Sequence, residues 1–190
     1  MNFKTKKEKR CQYFSPDTAS STTFSNALNH YITYANEQHN TIILLCIGTD
    51  KITGDCLGPL VGSKLQKMNF PLPFYGTLEN PLHASNLSEQ LIQIKKKHLN
   101  PFILVIDAAV GSKKHVGLVS LSCNPLSPGR GVNRPLTPIG NISITGIVNE
   151  TSSAIDLLLP YTSLHLVNKL ADYICNGITF ALKNDFSNTL

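Results

Sequence analysis

Two uninterrupted apolar runs organise this chain. Thr41–Ile47 is rich in β-branched and aliphatic residues and lacks polar alternation, the pattern of a strand buried on both faces. Phe102–Ile106 repeats the pattern and is predicted to be the central strand. Shorter strands are predicted at Phe74–Thr77, Val116–Ser122 and Ile142–Val148. Between them apolar residues recur at helical spacing. One stripe is Phe24, Ala27, Leu28, Tyr31, Ile32 and Ala35, with Ser21 to Thr23 as candidate caps. A second is Leu57, Leu60, Val61, Leu65 and Met68, with Pro59 in the first turn. A third, Leu87, Leu91 and Ile94, is preceded by Asn86 with Glu89 three residues on, the spacing of a capping box. A fourth runs from Leu164 to near Leu182. Strands alternating with helices predict one α/β domain over residues 21–190. Its expected form is a three-layer α/β/α sandwich of phosphorylase/hydrolase-like type, with a mostly parallel sheet. Residues 123–140 carry four prolines and three glycines, which predicts a long loop or flap.

Composition adds limits. A length of 190 residues suits a single domain with a sizeable core, and 42% hydrophobic against 15% charged residues fits a globular chain. The net charge is +5, but residues 1–20 carry +3 of it. They are expected to form a disordered basic tail, removable without loss of fold. No nucleic-acid-binding motif accompanies that charge, so nucleic acid is not the expected partner. No run reaches the ~18 apolar residues of a membrane span, and no apolar segment of signal-peptide type follows the basic start. Five scattered cysteines without a C-x-x-C spacing suggest neither a zinc site nor a disulfide framework, and suit a reducing cytoplasm.

The candidate chemistry lies where the two runs end. Thr41–Ile47 leads into a Gly-rich turn holding Asp50 and Asp55, and Phe102–Ile106 ends on Asp107. Open α/β sheets bind ligands beyond the carboxyl ends of their strands. Helix capping is the plain alternative for Asp55, and a turn role the alternative for Asp50. Asp107 sits in apolar company, where an unpaired carboxylate is costly to bury. If Asp55 and Asp107 meet, one pKa must rise and the two share a proton. Such a pair can activate water and protonate a leaving amine. The same acids could instead clamp a metal with His83 as third ligand. A thiol pathway through Cys56 is the weaker rival, since a helix N-terminus lowers a thiol pKa. There is no G-x-S-x-G elbow, and the turn matches no phosphate-binding loop.

The segments CIGTDKITGDCLGPLVG, YGTLENPLHASNL, NPFILVIDAAVG, PLSPGRGVNRPLTPIG and ITGIVN resemble the YyaC-type sporulation proteins of endospore-forming Firmicutes. That family in turn is similar to the spore germination protease and to the hydrogenase maturation proteases. The resemblance implies a protease-like fold and a hydrolase activity. Asp55-Cys56-Leu57-Gly58-Pro59 matches the germination protease's Asp-Ala-Leu-Gly-Pro, and Ile106-Asp107-Ala108 its Ile-Asp-Ala. It thereby implies Asp55 and Asp107 as the catalytic pair. Asp50, His83 and Asn133 are expected beside them as orienting or substrate-binding residues. Asn149–Ser153 departs from the Gly- and Met-containing continuation of YyaC-type chains.

These implications amount to a sporulation-associated endopeptidase that needs no cofactor or metal and acts on a protein or peptide substrate, small spore proteins being the natural candidates. The expected location is the cytoplasm of the sporulating cell, forespore or spore. Two alternatives stay open. One is an inactive protease-fold binding or regulatory protein; the other is a metal-dependent maturation-type peptidase. Assembly into a homo-oligomer stays open as well.

Overall fold

The computed structural model describes residues 11–17, 21–38, 40–128, 137–152 and 159–187. The elements follow in the order β1 (Cys11–Phe14), α1 (Ser21–Glu37), β2 (Ile42–Cys46), α2 (Leu57–Lys67), β3 (Phe74–Tyr75), α3 (Leu87–Lys97), β4 (Phe102–Gly111), β5 (Val119–Ser122), β6 (Ile142–Glu150) and α4 (Leu164–Ser187). They build one six-stranded sheet in the order β1-β5-β6-β4-β2-β3. The strands β3, β2, β4 and β6 run parallel, while β5 and β1 add an antiparallel flank. This is the mostly parallel α/β domain that the alternating pattern predicts.

The pleat separates two apolar layers. On one face Ile42, Leu44, Cys46, Leu104, Ile106, Ile142 and Ile144 pack against α1, α2 and α4. On the other, Ile43, Leu45, Ile47, Ile103 and Val105 pack against Leu87 and Ile94 of α3. Among the described residues, three helices therefore cover one face and a single helix covers part of the other. That asymmetry leaves room above the carboxyl ends of β4 and β6 on the α3 side. Helix α2 lies close to the sheet because Gly58 has no side chain: a Cβ there would stand 2.1 Å from the Ile47 carbonyl oxygen.

Four expectations need correction. First, Phe102–Ile106 does not end at Asp107; β4 continues to Gly111 because β6 keeps pairing with it beyond the end of β2. Second, Asn86 does not form a capping box. Its Oδ1 accepts from the His83 backbone N–H at 2.9 Å and its Nδ2 donates to the Pro81 carbonyl, so it closes the loop before α3 instead. Third, β5 starts at Val119 rather than Val116, since Lys113–His115 forms a 3-10 turn. Fourth, the first 20 residues are not all a disordered tail. Cys11–Phe14 pairs antiparallel with Val119–Ser122, Phe14 is buried against Phe24, Tyr13 stacks on His115, and Asp17 pairs with Lys169. Residues 1–10 and 18–20 lie outside the described residues.

All five cysteines are free, and among the described residues no helix is long and apolar enough to cross a membrane. The edge strand makes Cys11–Phe14 part of the fold, so the dispensability of the first 20 residues is open to test. Phe14→Ala should cost ~3 kcal/mol and lower Tm by about 6–12 °C. Deleting residues 1–17 should lower it at least as far, as read by thermal denaturation. An unchanged Tm in both proteins would show that β1 contributes nothing to stability.

Candidate active site

The loop between β2 and α2 is built around one glycine. Gly48 has φ +139°, and a Cβ at this position would lie 2.0 Å from the Asp55 carbonyl oxygen. With no side chain there, the Thr49 N–H can donate to that carbonyl at 3.1 Å, closing the turn. A 3-10 turn over Thr53–Asp55 then delivers Asp55 just ahead of α2. Gly54 is buried against Leu159 and Thr162, which fixes the turn from the other side.

Asp107 reaches the same place from the sheet. Odd-numbered residues of β4 face α3, so Asp107 follows Ile103 and Val105 onto the thinly covered face. In register beside Val105 and Asp107 on β6 are Ser143 and Thr145. A cavity of about 430 Å³ opens here, lined by both acids, by the hydroxyl residues Ser143 and Thr145, and by apolar groups including Ile52, Leu126 and Leu159. The Thr145 hydroxyl is 2.6 Å from that of Ser120, so its direction is held from behind. Pro125–Pro128 forms one wall, where Leu126 and Ile139 exchange backbone hydrogen bonds at 2.8 Å across the base of the predicted flap.

The electrostatics of the two acids follow from burial. Burial pushes the Asp55 carboxyl up to about 6, while a Thr49 backbone hydrogen bond pulls the other way. Asp107 is raised well above the ordinary carboxylate range, first by burial and then by the Asp55 charge; its bond from the Ala108 N–H, 2.8 Å, opposes this only in part. The carboxyls therefore sense each other across a cavity whose lining includes no Lys or Arg among the described residues.

The remaining predicted residues fare differently. Asp50 is exposed on the turn and is not part of the cavity lining. The wall near α3 is Ala84 rather than His83, whose backbone N–H and carbonyl are tied to Asn86 and Leu87. Asn133 lies outside the described residues. Among the described residues no three of His, Cys, Asp and Glu cluster as a metal site would need, so His83 does not complete a triad with the two aspartates. Cys56 is not activated: burial raises its thiol pKa, the charges of Asp55 and Asp50 add to this, and its Sγ donates to the Thr53 carbonyl at 3.1 Å. Sequence reasoning missed Ser143 and Thr145. Their signal was the alternation of hydroxyl and aliphatic residues in Ile142-Ser143-Ile144-Thr145, which marks one face of β6 as polar.

Two predictions follow from the geometry without any substrate. A raised carboxylate gives stability that is complete below the unfolded-state value of ~3.9 and is lost as pH rises through the folded-state value. For Asp55 the window is therefore between ~3.9 and about 6. Asp55→Asn should be more stable than the natural protein at pH 7, by up to about 3 kcal/mol, with the difference gone near pH 4. Asp107→Asn should change stability in the same direction. Denaturant titrations across this pH range decide it, and equal or lower stability of both variants at pH 7 would contradict buried, repelling acids. Conversely, Gly48→Ala should cost at least ~2 kcal/mol, because it meets both the positive φ and the Asp55 carbonyl; the same titrations at pH 7 read that loss.

The family described as a protein of unknown function, DUF1256, matches the chain over residues 12–177. The uncharacterized protein YyaC of Bacillus subtilis (strain 168) is 40% identical over 146 residues, covering 76% of this chain and 71% of that protein. The [NiFe] hydrogenase maturation protease HycI from Thermococcus kodakarensis KOD1 aligns in structure with a TM-score of 0.41 and 16% identity, over 74% of this chain and 93% of that one. A likeness of that size says nothing of chemistry. The family match, by contrast, spans most of the chain and includes both aspartates: the chain belongs to the DUF1256 family.

Proposed function

We propose that this protein is an endopeptidase in which Asp55 and Asp107 act together on one water molecule. A single observation carries the reading: two carboxyls line one cavity, both are raised by burial, and the charge of one contributes to the shift of the other. Structural ion pairs lower carboxylate pKa values; acids held up by burial and by each other fit proton transfer instead. The likeness of Asp55–Pro59 and Ile106–Ala108 to the germination-protease motifs supports the same pair.

The two environments divide the roles. With its value at about 6, Asp55 is largely ionised at neutral pH and serves as general base. Asp107, raised well above the ordinary carboxylate range by burial and by the Asp55 charge, is assigned the role of acid. Water oxygen attacks the scissile carbonyl carbon as its proton passes to Asp55 and the carbonyl oxygen takes the Asp107 proton. Collapse of the tetrahedral intermediate breaks the C–N bond. The amine leaves with the proton from Asp55, and the new carboxyl returns one to Asp107. The site residues Asp50, His83 and Asn133 stay outside this scheme. The substrates are proteins of sporulation, small spore proteins first, met in the cytoplasm of the sporulating cell.

Purified small spore proteins incubated with the full chain should be cleaved. Cleavage should persist in a chelator and fall ~10²–10⁴-fold in Asp55→Asn and in Asp107→Asn. The rate should decline as pH drops below about 6, where Asp55 becomes protonated. Activity that a metal restores after chelation favours the maturation-type reading. Intact spore proteins that nevertheless bind the wild-type chain favour the regulatory one.

A further inference from the structure

Beyond the end of β2, strand β4 has an edge that is unused among the described residues. In a parallel ladder the N–H and C=O of one residue point to the same neighbour, and successive residues alternate. The Ile106 carbonyl accepts from the Ile47 N–H at 2.8 Å, so Ile106 faces β2. The Gly111 carbonyl accepts from Thr151, just past β6, so Gly111 faces the other way. Ala108 and Val110 therefore face the β2 side. The register between β2 and β4 stops at Cys46 and Ile106. After it the chain turns at Gly48, whose N–H goes to Leu82. The Ala108 N–H turns back to Asp107 Oδ1. The Ala108 carbonyl and both backbone groups of Val110 are left facing a gap that no strand fills among the described residues.

That gap is the cavity. Ala108, Ala109 and Val110 line it together with Gly48, Gly54 and Asp55. Backbone donors and acceptors repeated every second residue complement another extended backbone and little else. The apolar walls, Ile47, Ile52, Leu126 and Leu159, and the two acids favour uncharged side chains over acidic ones.

We infer that an extended segment of the substrate polypeptide enters as an added strand on Ala108–Val110, taking the place that β2 vacates. In this position its peptide bond lies between Asp107 and Asp55. The substrate class is thus an unfolded or strand-forming segment with apolar side chains, read through its backbone. This binding mode deepens the endopeptidase reading and rests on it for the role of the acids, but it can be measured without cleavage.

The test uses the full chain carrying both Asp55→Asn and Asp107→Asn. The probe is a terminally blocked hexapeptide of alternating valine and alanine, flanked by lysines for solubility. Two further versions carry N-methyl groups on either alternate set of amides. One methylated version should lose affinity at least tenfold while the other binds like the parent. Amide exchange of Val110 should be fast in the free protein and at least tenfold slower with the parent peptide. Absence of binding at millimolar peptide, equal binding of both methylated versions, or a Val110 amide already protected in the free chain would overturn the inference. Strand addition with no cleavage of spore proteins by the natural chain would sink the peptidase reading alone. Cleavage without protection of Val110 would sink the strand addition alone.

Discussion

Two carboxyls turned into a single cavity, with no cation between them in the described lining, is the arrangement on which everything else depends. A fold selected only for stability would replace them, because each loses hydration and Asp107 also meets the charge of Asp55. Their presence therefore needs a scaffold stiff enough to hold them. That scaffold is the parallel core of β2, β4 and β6, apolar on both faces, together with the glycine turn that brings Asp55 back against Gly48.

The same arrangement explains the uneven layering. With α1, α2 and α4 on one face, the sheet is fully covered there and most of the hydrophobic burial is secured. Among the described residues, the opposite face then carries a single helix and leaves its outer portion open. Hydroxyl groups on β6 and the Asp107 carboxyl on β4 would be misplaced under a second packed helix. Above the ends of the strands they face a cavity and a proline-rich wall instead.

Much of this was legible in the residues, and the failures have physical causes. The buried strands announced themselves by unbroken aliphatic runs, and Asp55 and Asp107 by their places just past those runs. What the pattern could not give was the length of β4. Asp107-Ala108-Ala109-Val110-Gly111 is weak in strand propensity, and it stays extended because β6 pairs with it, a tertiary effect. The edge strand Cys11–Phe14 was hidden by the lysines that precede it; its partner β5 and the ring of Phe24 reveal it. Cys56 misled for another reason: a helix N-terminus favours a thiolate, but burial and two nearby acids outweigh it. Asn86 had the right spacing for a cap, yet its amide bonded backward to the loop.

The outermost strands of the sheet, β1 and β3, are four and two residues long. Flanks so brief give a stray chain little purchase for growth into a fibre or a chance dimer. The inner edge proposed to receive a strand, Ala108–Val110, lies instead inside a cavity walled by proline and acid. On the strand-addition proposal, selectivity would require no lock for any particular side chain: a tightly folded bystander could not lend a strand, and would be spared for that reason alone.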